Sequence, residues 1–170
     1  MATLMLDDAL RQLRERRTYS EEIQKLIDIA IENNASTIRF MNYLDANNIR
    51  LADIKGDAMD VILDYAELIL EDDVLSGYEM SMIRVLRRFF CIEDGEFLEF
   101  GKRERVETIL IEQLEKLYAD NKIDKEEMLH KSELQGLFGL GYDDYQDIVN
   151  KVAIEAYSRG ADLKDLDTYL

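Results

Sequence analysis

The residues with the clearest capacity for chemistry are two clusters of carboxylates. Asp72 and Asp73 precede Leu75 and the pair Ser76 and Glu79, while Asp120 precedes Ile123 and the pair Asp124 and Glu127. Carboxylates gathered at a turn suit hard divalent cations, which take oxygen donors. Acids before an apolar residue, with a glutamate four residues on, mimic the second half of an EF-hand calcium loop. With Glu127 at the final ligand position, Asp120 and Asp124 fit the fifth and ninth, but the first and third fall on Lys116 and Tyr118; in the other cluster they fall on Leu68 and Leu70. Calcium takes about 6 to 8 oxygens, so the loss of two early ligands excludes a conventional EF-hand. The same residues also read as local structure. Ser76 with Glu79, and Asp124 with Glu127, have the spacing of capping boxes, each cap contributing about 1 kcal/mol.

Other reactive residues are sparse. His130 and Cys91 are the single histidine and cysteine, so a zinc site would need several carboxylates to complete it. Cys91 follows Phe89 and Phe90 near an apolar helix end, which predicts a neutral thiol rather than a nucleophile paired with His130. Gly139-Leu140-Gly141 lacks the Lys-Ser or Lys-Thr of a phosphate loop and reads as a helix stop. Paired carboxylates occur throughout so acidic a chain and carry no diagnostic weight for acid–base catalysis. The expectation is a protein without enzymatic activity.

Helices must position these residues. Proline is absent and glycine occurs 8 times in 170 residues, which removes the strongest helix breakers. Leu4, Leu6, Leu10 and Leu13 mark a first helix. Thr18 and Glu21 have capping-box spacing, and Ile23, Leu26, Ile27, Ala30 and Ile31 form a stripe over 19–33. Ser36 opens a third helix carrying Ile38, Met41 and Leu44, closed by Asn47 and Asn48. A turn containing Ile49, Leu51, Ile54 and Gly56 precedes a long helix from about Asp57 to Asp72. Ser76 opens another, whose Met80, Met82, Ile83, Phe89 and Phe90 face a core and which ends at Glu93-Asp94-Gly95. Helices from about Arg103 to Ala119, from Asp124 to Phe138, and through Tyr145, Ile148, Val149 and Val152 complete an all-α bundle of seven to nine helices. Residues 1–55 form an N-terminal helical extension and 56–170 the bundle proper, with packing as one domain left open.

Hydrophobic residues make up 47% and charged residues 34% of the chain, a globular balance. The apolar stretch from Met59 to Leu70 is interrupted by Asp60, Asp64 and Glu67 and falls short of a membrane span of about 20 residues. Early acids in the N-terminal segment argue against a secretory signal, and one cysteine allows no internal disulfide, so a cytoplasmic location is expected. The formal net charge of −16 repels nucleic acid and attracts basic protein surfaces. Arg11, Arg14, Arg16 and Arg17, and later Arg84, Arg87, Arg88, Lys102, Arg103 and Arg105, are expected to serve solvated faces and internal ion pairs.

A shift of about 48 residues lays Leu75 on Ile123, Glu79 on Glu127, Met80 on Met128, Leu86 on Leu134, Phe89 on Leu137, Phe90 on Phe138 and Ile92 on Leu140. The same shift pairs Glu67 with Glu115, Asp72 with Asp120, Phe97 with Tyr145 and Phe100 with Ile148. Such a match implies two helical hairpins about a pseudo-twofold axis. The segments EDDVLSGYE (71–79) and ADNKIDKEE (119–127) resemble the tellurite-resistance TerB-like family, over about residues 58–158. The resemblance implies an all-helical bundle, metal binding at the acidic turns, and a stress-related or envelope-related setting. Its candidate ligands are Asp72, Asp73 and Glu79 in one turn and Asp120, Asp124 and Glu127 in the other. Calcium, magnesium or manganese would precede zinc at such an oxygen-only set. Neither turn has the family's Ala-Asp-Gly glycine.

These readings converge on an acidic module that docks a protein partner with a basic surface and responds to a divalent metal. The alternative is an inhibitor or immunity-type protein whose acidic face occupies a basic site on a nuclease or another nucleic-acid-binding protein. The N-terminal helices are available to cap the bundle, to pair with a second copy as a homodimer, or to receive a partner helix. If the acidic turns bind a cation, thermal unfolding of metal-stripped protein will shift upward by roughly 5 to 10 °C at a metal concentration about 100 times the dissociation constant. The Asp72→Asn, Asp120→Asn double variant will lose that shift. An unmoved midpoint with calcium, magnesium and manganese alike would remove the turns as a metal site.

Overall fold

The computed structural model describes residues 4–71, 74–117 and 133–158. All regular structure among them is helical. In order these are α1 (Leu6–Arg16), α2 (Glu21–Glu32), α3 (Thr37–Asn47), α4 (Leu51–Leu70), α5 (Gly77–Phe89), α6 (Glu96–Glu99), α7 (Arg103–Leu117) and α8 (Tyr142–Ser158), with a further helical stretch at 133–137. Among the described residues, no helix is long and apolar enough to cross a membrane.

The bundle is organised around α4. It packs against α1, α2, α5 and α7, while α3 joins α2 to α5 and α8 lies on α7. Its sequence explains this position. Ile54, Ala58, Met59, Val61, Ile62, Leu63, Tyr65, Ala66, Leu68, Ile69 and Leu70 are all buried, so the helix is apolar around most of its circumference and must be covered on several sides. Burial of each large apolar side chain contributes about 1.5–3 kcal/mol. Residues from Leu6 in α1 to Val152 in α8 join one contiguous core, and the expected boundary between 55 and 56 falls inside α4.

Several local expectations are corrected. The cap of α2 is Ser20, whose Oγ accepts from the Ile23 amide at 3.3 Å, rather than Thr18. The cap therefore sits two residues later, and Tyr19 is turned toward α4. In α3, Phe40 and Leu44 face inward, while Ile38 is 74% and Met41 38% exposed. The two possible stripes share Leu44, and the larger Phe40 ring decides between them by packing on Phe89 and Phe90, with centroids 5.1 and 5.8 Å away. Helix α4 begins at Leu51 instead of near Asp57 and carries Gly56 in its interior. Burial of Ile54 in the added turn outweighs the cost of that glycine, about 1 kcal/mol.

The end of α5 also differs. It closes before Glu93-Asp94-Gly95, in a Schellman motif with Cys91 in the left-handed region at φ 54°. The Ile92 amide donates to the Arg87 carbonyl at 2.9 Å and the Cys91 amide to the Arg88 carbonyl at 3.2 Å. Gly95 instead opens α6.

Arg87 then ties this corner to the later helices. Its guanidinium donates to the Gly136 and Leu137 carbonyls at 3.0 and 3.1 Å and to Asp94 at 2.7 Å, placing positive charge at a helix C-terminus. Gly139, the expected helix stop, has φ +66° and its carbonyl accepts from the Gly95 amide at 3.1 Å. A Cβ there would lie 2.7 Å from the Asp94 Cα, whereas at Gly56 it would meet only the Phe100 ring edge at 3.6 Å. Gly139→Ala is therefore expected to destabilise by about 2–4 kcal/mol and Gly56→Ala to stabilise by about 0.5–1 kcal/mol. Urea unfolding midpoints that move in opposite directions will check both.

Candidate functional site

Five acids of α4 and its end, Asp57, Asp60, Asp64, Glu67 and Glu71, are separated alternately by three and four residues. That spacing aligns them on one line of the helix. Unscreened, neighbouring like charges at these separations oppose the helix by about 0.2–0.5 kcal/mol per pair. The fold answers this seam with cations from other elements.

Arg105 of α7 carries most of the compensation. Its Nη1 donates to Asp60 at 2.9 Å, its Nη2 to Asp64 at 2.7 Å and to Glu67 at 2.8 Å, and its Nε to Glu67 at 3.0 Å. Burial opposes the Arg105 charge, but the hydrogen bonds to Glu67 and Asp64 outweigh it and raise the guanidinium above its ordinary pKa. Lys102 Nζ donates to both oxygens of Asp60 at 2.7 Å.

The other side of the seam is met by the end of α1 and the turn before α2. Tyr19 donates its hydroxyl to Asp64 at 2.7 Å. Arg17 donates to Glu67 at 3.5 Å and lies 3.9 Å from Asp64, while Arg16 donates to Glu71 at 2.6 Å. Asp64 is thereby buried with its charge fully engaged. Beside it, a cleft of about 400 Å³ opens between the α1–α2 turn, α4 and α7, lined by Arg17, Thr18, Tyr19, Ser20, Asp57, Asp60, Asp64 and Arg105. Asp57 is exposed at this cleft.

Of the acids expected to ligate metal, Glu79 is described. It is buried at the start of α5, where Glu79 Oε2 accepts from the Ser76 amide at 2.8 Å and the Glu79 amide donates back to Ser76 Oγ at 3.4 Å. The expected capping box is present. Asp72, Asp73, Asp120, Asp124 and Glu127 lie outside the described residues, as does His130. The connection from α4 to α5 is held from α7: the Leu75 amide donates to buried Gln113 Oε1 at 2.7 Å, Gln113 Nε2 donates to the Leu75 carbonyl at 3.2 Å, and Lys116 donates to the Leu70 carbonyl. Among the described residues, no group of three or more histidine, cysteine or carboxylate side chains is arranged to hold a metal ion. Asp60, Asp64 and Glu67 are spread instead around a guanidinium.

Cys91 is half-buried, and burial is the largest influence pushing its thiol upward, which keeps it neutral. Met80, Ile83, Phe89 and Phe90 are core residues. The α4 seam was not singled out from sequence, where Asp60, Asp64 and Glu67 read only as interruptions of an apolar stretch. The alternating spacing of three and four was the available signal; Arg105 and Lys102 lie far along the chain and gave none. Comparison with models of known protein families, with curated proteins and with solved structures finds no match to this chain.

Tyr19 supplies a pH test of the seam. Burial, then the hydrogen bond to Asp64 and the charge of that carboxylate, push its phenol well above the ordinary 10.0, against the opposing effects of Arg17 and Arg105. Because the folded state then holds a proton that the unfolded state releases, the contribution to stability is complete below about pH 10 and declines as pH rises above it. Tyr19→Phe is expected to flatten that decline. A phenolate absorbance titration in which Tyr19 ionises near pH 10 while the protein remains folded would contradict the hydrogen-bonded geometry.

Proposed function

We propose that this chain is a non-enzymatic acidic interaction module that docks a protein partner through carboxylates matched to a basic surface. The observation that carries the reading is the disposition of charge. Arg14, Arg16, Arg17, Lys55, Arg87, Lys102, Arg103 and Arg105 are engaged by carboxylates within the chain. Asp8, Glu15, Glu21, Glu22, Glu32 and Asp57 are exposed and enter no such pair among the described residues. These carboxylates face outward in a chain whose formal net charge is −16, and such a field speeds encounter with a basic partner and orients it.

The later helices enter the reading as a duplicated unit. At a shift of 48 residues, Leu86 and Leu134, Phe89 and Leu137, Phe90 and Phe138, Ile92 and Leu140, and Phe97 and Tyr145 are all buried, and Cys91 and Gly139 are both left-handed. These agreements support two related halves. Phe100 and Ile148 depart from them, at 38% and 1% exposed, because α8 continues as one helix where the first half breaks between α6 and α7. In the TerB-like version of this reading, Asp72, Asp73, Glu79, Asp120, Asp124 and Glu127 make docking responsive to calcium, magnesium or manganese. One oxygen of Glu79 is already committed to the α5 cap.

A labelled octa-arginine peptide, titrated onto the full chain at low and at physiological ionic strength, tests docking. Binding is expected to weaken by tenfold or more with salt, on the order of the loss seen when several charge contacts are screened. It should weaken further in the Asp57→Asn, Glu71→Gln variant than in the Glu21→Gln, Glu22→Gln variant, which loses the same charge elsewhere. Absence of binding at low salt overturns the docking reading; equal losses in the two variants would remove the α4 seam as its focus.

A further inference from the structure

Helix α3 is apolar on two sides, and the fold covers one of them. Phe40 and Leu44 turn one side into the core, where the helix packs against α2 and α5. Ile38 and Met41 lie one turn apart on the other side and are 74% and 38% exposed. Among the described residues, Ile38 is the most exposed large apolar side chain. Ile154 on α8, at 69%, stands by contrast among the exposed polar residues Asn150, Lys151, Glu155 and Ser158, as single apolar residues on a surface ordinarily do.

The charges around Ile38 and Met41 identify what fits there. Arg39 flanks Ile38 at the start of α3, and Arg88 joins it from the end of α5, where the Thr37 hydroxyl donates to the Arg88 carbonyl at 3.3 Å. Asp45 lies toward the other end of the exposed side, two helical turns beyond Ile38. All three are exposed and enter no ion pair among the described residues. A face with cations at one end and a carboxylate at the other is complementary to a copy of itself laid antiparallel and repels a parallel one.

We infer that a second copy of this chain covers the face, with the two α3 helices antiparallel and crossing at Asn42. Arg39 of each copy then comes level with Asp45 of the other, and Ile38 of each faces the small, exposed Ala46 of the other. The contact uses none of the α4 carboxylates and is independent of docking to a basic partner. Salt also acts on it in the opposite sense. Two copies of formal net charge −16 repel at long range, so screening favours their association while it weakens the hold of carboxylates on a basic surface.

Sedimentation velocity of the full chain over a wide range of concentration, at physiological ionic strength, tests the contact. Wild type is expected to pass from monomer to dimer as concentration rises, and Ile38→Glu to weaken that association by about tenfold or more, since it places a carboxylate in the apolar centre. Ile154→Glu makes the same change at a comparably exposed isoleucine and is expected to differ from wild type by less than about threefold. Arg39→Asp should weaken the dimer as well, and the Arg39→Asp, Asp45→Arg variant should recover it, because the exchange restores opposite charges across the antiparallel pair. All the substituted side chains are exposed, and circular dichroism checks that each variant is folded. A wild type that stays monomeric throughout, self-association that Ile38→Glu leaves intact, or a charge exchange that recovers nothing would each overturn the inference.

Discussion

A helix that is apolar around most of its circumference leaves only one narrow line for its charges, and that constraint organises this protein. In α4 the acids from Asp57 to Glu71 fall on that line, and the remaining faces are filled by α1, α2, α5 and α7. A row of carboxylates at such a junction is tolerable only with cations placed against it. Arg105 meets three of them with one guanidinium, whose planar fork of donors suits several carboxylates at once. Lys102 and Tyr19 satisfy most of what remains. The position of α7 beside α4, and of the α1–α2 turn over it, therefore has an electrostatic as well as an apolar reason.

The same arrangement accounts for how the chain reconciles its charge with a large core. Cations are mostly used inward or along seams between helices, as with Arg87 on the Gly136 and Leu137 carbonyls and Arg103 on Asp144. Other carboxylates, among them Asp8, Glu15, Glu21, Glu22 and Glu32, are exposed, where hydration supports them and mutual repulsion is softened by salt. Exposed carboxylates on the helix faces and ion pairs along the seams between helices are two consequences of one distribution.

Much of the fold was legible in the residues. The apolar stripes of α1, α2 and α5, the Ser76 and Glu79 capping box, the helix stop at Gly139 and the core role of Met80, Ile83, Phe89 and Phe90 follow from periodicity and local hydrogen bonding, which act within a few residues of each other. The failures came where local signals tied. Thr18 and Ser20 were both able to cap α2, Ile38 and Phe40 were both able to lead the buried stripe of α3, and Gly56 looked like a turn until Ile54 found a place in the core. Each tie was broken by a contact with a residue far along the chain. The acidic turns were legible as caps and acids, and the part of that expectation that falls on described residues, Glu79 on Ser76, is local too.

The sequence by itself determined the helical class, the acidic excess and most helix registers, because these depend on residue type and short-range spacing. Only the tertiary structure decided which charges meet. Nothing in the spacing of Asp60, Asp64 and Glu67 identifies Arg105, Lys102, Arg17 and Tyr19 as their partners, since those residues are brought together by the packing of apolar faces on the opposite sides of their helices. Carboxylates that read as solvated interruptions of an apolar run became the charged centre of the fold for that reason: the hydrophobic effect, indifferent to their identity, chose the neighbours that had to neutralise them.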